Sequence, residues 1–342
     1  MRERKTSTPA THARRGRRLR GHAIRLALSL AMLVPASAAM GDIPLADGKV
    51  SIDALFRANA RVRVHTQWGF SKQESYFYRN AALLGLRARL ASDVSLRCWF
   101  DVADIRGKPA QDLYLDLELT EGLTLRAGQM GLPLGFEAET PWSELRLIDN
   151  SIASVWLKPV GMSRDVGVLA DFRRDRWALA AAVVNGNGRN NLADDNRWKD
   201  PCARAEVQVL SNPSLVVQIR GYWGHVGGDG VPWRTLGAGI RYSNEAVEIV
   251  AEGQLAGDDE PKNSLYVQGA FLRLPLLEPV VRYQMEFLSA STKYRADGGL
   301  SFHLWDRAVK LMLNYAYSRT ASSIPGLRET EHRASVQLQG AL

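Results

Sequence analysis

The sequence predicts an all-β fold, a sixteen-stranded antiparallel transmembrane β-barrel with long external loops and short periplasmic turns. Three observations predict it. Apolar and polar residues alternate with a period of two from Leu55 onward. Short and long connections alternate between those segments. The chain also opens with an export-type leader, while no later run reaches 18 uncharged apolar residues.

The leader comes first in the chain. Nine Lys or Arg residues precede Leu26, opposed only by Glu3, and the apolar run LALSLAMLVP and the small residues Ala36-Ser37-Ala38 follow. A basic head, a short apolar core and an A-x-A site are the parts of a secretory signal peptide, expected over residues 1–38. The apolar run is shorter than the ~20 residues a helix needs to cross a bilayer. The head carries a net charge of +8, the whole formal charge of the chain, so the remainder is neutral and nothing in it points to nucleic acid. Residues 39–54 are expected to be a periplasmic N-terminal segment, and 55–342 the barrel, inserted in the outer membrane with lipid as its partner. Cys98 and Cys202 form neither a disulfide framework nor a metal motif.

The strands follow in order. From Arg57 to Trp68, the odd positions Arg57, Asn59, Arg61, Arg63, His65 and Gln67 are polar, and the even positions are small, apolar or amphipathic. A helix would scatter these around its circumference, whereas a strand sorts them onto two faces. Leu84 to Leu90 alternates with Arg87 and Arg89, and Val94 to Val102 with Arg97, Trp99 and Asp101. Leu113, Leu115, Leu117 and Leu119 oppose Tyr114, Asp116 and Glu118, and Leu123 and Leu125 flank Arg126. Val166, Val168 and Phe172 open the sixth strand. WALAAAVVN, the seventh, is apolar on both faces. Arg204 and Glu206, then Gln218, Arg220 and Tyr222, occupy the polar faces of the eighth and ninth. Segments around Ile240, Ile249 and Val267, then Val281–Phe287, Leu300–Leu304, Val309–Tyr317 and Ala334–Leu338, complete sixteen.

Turns are tight at Ser92-Asp93, Glu121-Gly122, Arg174-Asp175, Ser211-Asn212-Pro213, Ser243-Asn244-Glu245, Pro275 and Asp306. Every connection from an odd strand to the next even one is expected to be longer, and the longest runs from Gly131 to Ser163. In hydrocarbon each backbone polar group must pair within the protein, so a closed barrel with its leucine face outward is the solution open to strands. Trp68, Trp223, Tyr315 and Tyr317 would sit near the interfaces.

Such a barrel encloses a water-filled lumen. The inward bases are Arg57, Arg61, Arg63, Arg87, Arg89, Arg97, Arg126, Arg204, Arg220, Arg241, Arg282, Lys310 and Arg333. Against these thirteen stand seven acids: Asp101, Asp116, Glu118, Glu206, Glu248, Glu252 and Glu286. Arginine suits the transit of small anionic solutes, because its planar fork binds oxyanions and never loses its charge. The other reading pairs most of them with wall carboxylates as a structural lattice. The 33 residues 131–163, with Trp142, Leu145, Leu147, Ile148 and Trp156, are too apolar for an exposed loop. They are expected to fold into the lumen as a constriction, with Arg146 and Lys158 as its bases; packing at a trimer interface is the alternative.

LTLRAGQMGLPLG before this segment, SRDVGV after it and NGNGRNNLADDNRWKD following the seventh strand resemble the phosphate-selective porin O and P family. The resemblance covers most of the chain after residue 38 and is strongest from Leu123 to Arg204. It implies a homotrimeric porin whose third external loop narrows the channel and which passes phosphate, polyphosphate or other anions. The chain departs from it in ending at Leu342 rather than on an aromatic residue, and in the two bases of that loop. No nucleophile motif, P-loop or dinucleotide fingerprint occurs, the histidines sit singly, and Asp194, Asp195 and Asn196 lack the spacing of a calcium loop. Neither an enzymatic role nor a cofactor or metal is expected. The rivals are a non-selective or non-conducting structural or adhesive barrel, and an outer-membrane hydrolase built around His65 or His303.

Overall fold

The computed structural model describes residues 43–45, 49–67, 70–78, 80–104, 107–155, 163–191, 193–194, 196–226, 230–257, 261–305, 308–322 and 328–341. The expected signal peptide, Trp68, Trp156, Lys158, Asp195 and Asp306 lie outside them.

Sixteen strands close into one antiparallel barrel. They are β1 (Val50–Gln67), β2 (Phe70–Phe77 continued by Ala81–Arg89), β3 (Val94–Asp101), β4 (Ala110–Thr120), β5 (Leu123–Gly131), β6 (Arg164–Arg174), β7 (Trp177–Val184) and β8 (Asp200–Leu210). Then come β9 (Ser214–Val226), β10 (Val231–Ser243), β11 (Val247–Ala256), β12 (Asn263–Phe271), β13 (Leu277–Leu288), β14 (Ser291–Leu304), β15 (Val309–Ser322) and β16 (Arg328–Ala341). Each strand pairs with its sequence neighbour, and β16 closes on β1 from Glu329↔Gln67 to Ala341↔Leu55. Closure gives each of the sixteen strands a partner on both sides, although the Phe70–Phe77 part of β2 pairs only with β1 among the described residues. A short strand, Ile43–Leu45, doubles back on the start of β1. Because β1 begins at Val50, the last residues of the segment expected as 39–54 already belong to the barrel ladder.

The partition of side chains is the reverse of a water-soluble protein. Leu113 and Leu115 are 44% and 45% exposed on the outer face, whereas Arg220 and Arg282 on the inner face are 3% and 2% exposed. Phe56, Leu84, Ile219, Leu236, Leu255, Val281 and Leu313 share the outer face. Among the described residues no helix is long and apolar enough to cross a membrane. On β7 the outer face carries Trp177, Leu179, Ala181 and Val183, and the inner face the buried Ala178, Ala180, Ala182 and Val184. Its doubly apolar sequence is thus explained from inside, where it packs against apolar side chains rather than water.

The alternation of connection length holds only in part. β1 and β2 are paired out to Gln67↔Phe70, and β13 and β14 out to Leu288↔Ser291, so only two residues separate the paired strands at each of these loop-end connections. The residues expected in long loops continue the ladders instead, as hairpins whose outward positions on β2 are the polar Ser71, Gln73 and Ser75. Backbone pairing does not stop where the apolar face stops. At the turn end, four-residue or shorter links and the five residues between Phe271 and Leu277 are as expected.

Candidate functional site

The site is the lumen, whose wall is set by the inward positions of the strands. Nearly all of the bases expected there have partners. The Arg57 guanidinium donates to Gln337 Oε1 at 2.6 and 3.0 Å, and Arg126 meets Asp116 through two bonds of 2.6 and 2.9 Å. Arg63 lies 3.4 Å from Glu331 and Arg87 3.6 Å from Asp53. Arg220 donates to Glu252 at 2.7 Å, Arg282 is paired with Asp297 at 3.4 Å, and Arg333 lies 2.8 Å from Glu331. Arg241 stacks on the Phe136 ring at 4.3 Å. Arg89 and Arg97 have no carboxylate in ion-pair range among the described residues, although Arg97 lies over Trp99 at 5.3 Å.

The segment after β5 runs inside this wall. It carries two single-turn helices, α1 (Phe136–Glu139) and α2 (Ile152–Val155). Its carboxylates meet arginines from across the barrel. Arg282 donates to Glu137 at 2.7 Å, Arg204 bonds Glu139, and Asp149 accepts from Arg61 at 2.5 Å, Arg333 at 3.2 Å and Arg295 at 3.5 Å. In the opposite sense, Arg146 of the segment meets Glu248 and Glu278 at 2.7 and 2.8 Å, and Lys310 donates to the carbonyls of Ser143 and Leu145. Burial works against ionisation of Asp149, but Arg333, Arg61 and Arg295 outweigh it and hold the carboxyl below the usual carboxylate range. Burial pushes the Glu139 carboxyl up, against the pull of Arg204.

Apolar side chains account for the rest of the docking. Met130, Leu132 and Leu134 cluster with Leu169, Ala182, Val184 and Tyr222, Phe136 and Ala153 with Val250 and Tyr266, and Leu147 with Ala270 and Val280. Inward glycines receive them. A Cβ at Gly239 would lie 3.0 Å from the Phe136 ring, and one at Gly299 2.6 Å from Leu147 Cδ2. At Gly135, φ is +130° and a Cβ would press on Glu252 and Arg220, so only glycine admits the backbone here. The sequence reading of wall acids and bases missed Glu137, Glu139, Asp149, Arg295 and Asp297. The acids of FEAETPWSELRLID were the available signal, since they are what a basic wall would hold.

No protein-family model matches the chain, and no curated protein does. Solved structures match along most of it. The anion-selective porin from Comamonas acidovorans is 14% identical with a TM-score of 0.62, over 86% of this chain and 100% of that one. The outer membrane channel DcaP of Acinetobacter baumannii is 13% identical with a TM-score of 0.60, over 86% and 97%. Pseudomonas putida OprB, in a high-pH structure, is 8% identical with a TM-score of 0.63, over 85% and 94%. The chain has the porin fold.

Within this porin-fold barrel the inner segment is held mainly on the β8–β16 side, and open space remains along β2–β6. Three cavities follow one another there. One of about 570 Å³ near the loop end is lined by Lys108, Asp101, Arg189 and Trp142. A middle one of about 270 Å³ is lined by Arg97, Trp99, Tyr114, Arg126 and Arg204. The first two share Gln111, Ala138, Thr140, Trp142 and Arg164. The third, about 480 Å³ at the turn end, is lined by Arg87, Arg89, Asp116 and Glu118. The Asp116–Arg126 pair joins the lower two. His65 and His303, considered for a hydrolase, lie 3.9 Å from Glu329 and 3.7 Å from Glu278. Among the described residues no three His, Cys, Asp or Glu side chains are grouped to hold a metal ion.

Proposed function

We propose that this chain is an outer-membrane porin, a passive diffusion channel for small solutes with a preference for anions. Export would use residues 1–38, and lipid would surround the apolar outer face. The observation that carries the reading is the reversed partition, with ionised side chains around a series of cavities and leucines facing out. A charged residue on the outer face would cost roughly 2–4 kcal/mol at mid-membrane, a cost this sequence avoids. The porin-fold neighbours, one titled anion-selective and one an outer membrane channel, support the same conclusion.

Anion preference rests on the pore-lining residues and has a narrower base than a count of wall arginines suggests. Three carboxylates of the inner segment, Glu137, Glu139 and Asp149, offset part of the charge of Arg61, Arg204, Arg282, Arg295 and Arg333. A moderate preference among small anions, phosphate included, fits this balance better than a deep phosphate trap. The inner segment, with Trp142 and Arg146, would act as the constriction. Association as a homotrimer belongs to the same reading.

Planar-bilayer recording of purified protein tests it. Under a KCl gradient we expect discrete conductance steps with a reversal potential of anionic sign. A barrel that inserts without conducting would remove the channel reading, and a cationic reversal potential would remove the preference. Chemical cross-linking in detergent should yield a three-subunit band.

A further inference from the structure

The solute path and the charge that governs it can be assigned more closely, and this assignment rests on the channel reading above. The inner segment is bonded to the far wall by buried ion pairs, so the space it leaves is off-centre, against β2–β6. The middle cavity, at about 270 Å³, is the smallest of the three there. Its floor and walls carry four bases in or beside ion pairs: Arg126 with Asp116, Arg164 with Asp112, Arg173 with Asp171 and Arg204 with Glu139. A paired guanidinium presents little net field to a passing ion. Arg97 lines the same cavity, has no carboxylate in range among the described residues, and its buried Nε has no hydrogen-bond partner. The Trp99 indole lies under its guanidinium and Trp99 Nε1 is bonded to Asp53, which holds the pair on the wall.

We propose that solutes cross along the β2–β6 side and that Arg97 is the specificity-determining residue, a hold point for small oxyanions such as carboxylate or inorganic phosphate. A guanidinium with two free Nη donors offers both oxygens of such a group a bond. Its cation–π contact with Trp99, at 5.3 Å from the ring centroid, favours this place for the fork without using those donors. Arg61, Arg204, Arg282, Arg295 and Arg333 then act as a scaffold for the inner segment, and Arg63, Arg87, Arg126, Arg164 and Arg173 are balanced by wall carboxylates.

Two measurements in bilayers test this. In a Cys98→Ser background, Arg97→Cys channels treated with a negatively charged methanethiosulfonate should lose about half or more of their conductance, as expected when a bulky group enters the narrowest stretch of a pore. Separately, Arg97→Gln should lower the chloride-to-potassium permeability ratio at least about fivefold, the factor one unscreened charge exerts on a single ion ~4 Å away in water. Arg97→Lys should keep it. Full labelling without a conductance change would overturn the path, and an unchanged ratio in Arg97→Gln would overturn the hold point. Both results presuppose a conducting wild type. A non-conducting wild type instead sinks the channel reading itself, so the two failures are told apart.

Discussion

Asp149 holds Arg61, Arg295 and Arg333 around one largely buried carboxylate. Removing its charge by Asp149→Asn leaves Arg61 with no carboxylate among the described residues, while Arg295 and Arg333 keep Asp297 and Glu331, and breaking a largely buried pair in this way costs about 3 kcal/mol. We expect a lower thermal unfolding midpoint, read by heat-modifiable gel migration, together with a stronger anion preference. A variant with unchanged midpoint and unchanged preference would show that Asp149 anchors nothing. The pH dependence has a definite sign. Because its folded value is depressed, the stabilisation from Asp149 is complete above the unfolded value and is lost as pH falls through the folded one. The difference in unfolding midpoint between wild type and Asp149→Asn should therefore persist through mild acid and vanish only below about pH 4. The wall arginines were legible as inward bases from the period-two pattern alone. Their partners were not, because pairing between Asp149 and Arg333 joins residues far apart in sequence, and no local pattern encodes such a meeting.

At the scale of elements, strand glycines are the mark of the inner segment. Inward Gly239 and Gly299 leave room for Phe136 and Leu147, and glycine inside a strand otherwise weakens it. Gly299→Val should clash with a Leu147 already packed on Ala270 and Val280, costing about 1–3 kcal/mol. Noisier single-channel currents and a lowered unfolding midpoint are the expected readouts; quiet, wild-type currents would mean the segment does not rest there. These glycines stand in plain view in GAGI and GGLS, yet only the depth of the neighbouring segment gives them meaning. β2 shows the opposite limit. Arg57 pairs with Ala81 but Ala60 with Phe77, so the ladder gains one residue between them and the inward parity switches from odd to even. Residues 70–77 do not read as a strand because outward Ser71, Gln73 and Ser75 are as polar as inward Lys72 and Glu74, and the bulge puts them out of phase with Ala81–Arg89. β7 was hard to place for a third reason, since both its faces meet apolar surroundings.

Taken as a whole molecule, the fold was the most legible level. A period of two repeated over sixteen segments needs no long-range information, because each strand reports its own two faces. Which face meets lipid is a property of the closed barrel, and it predicts a sharp asymmetry. Leu115→Arg, on the outer face, should impair folding into phospholipid vesicles by roughly 2–4 kcal/mol, while polar replacements at the lumen position Tyr114 should be far milder for insertion. Equal insertion of the leucine variant would contradict an outer face in hydrocarbon. The anchoring of the inner segment by ion pairs shielded from bulk solvent has a last consequence. Exposed charges lose sight of one another beyond the ~10 Å Debye length of 0.1 M electrolyte, but enclosed pairs are scarcely affected. The gap beside the inner segment should therefore keep its width in brine as in fresh water.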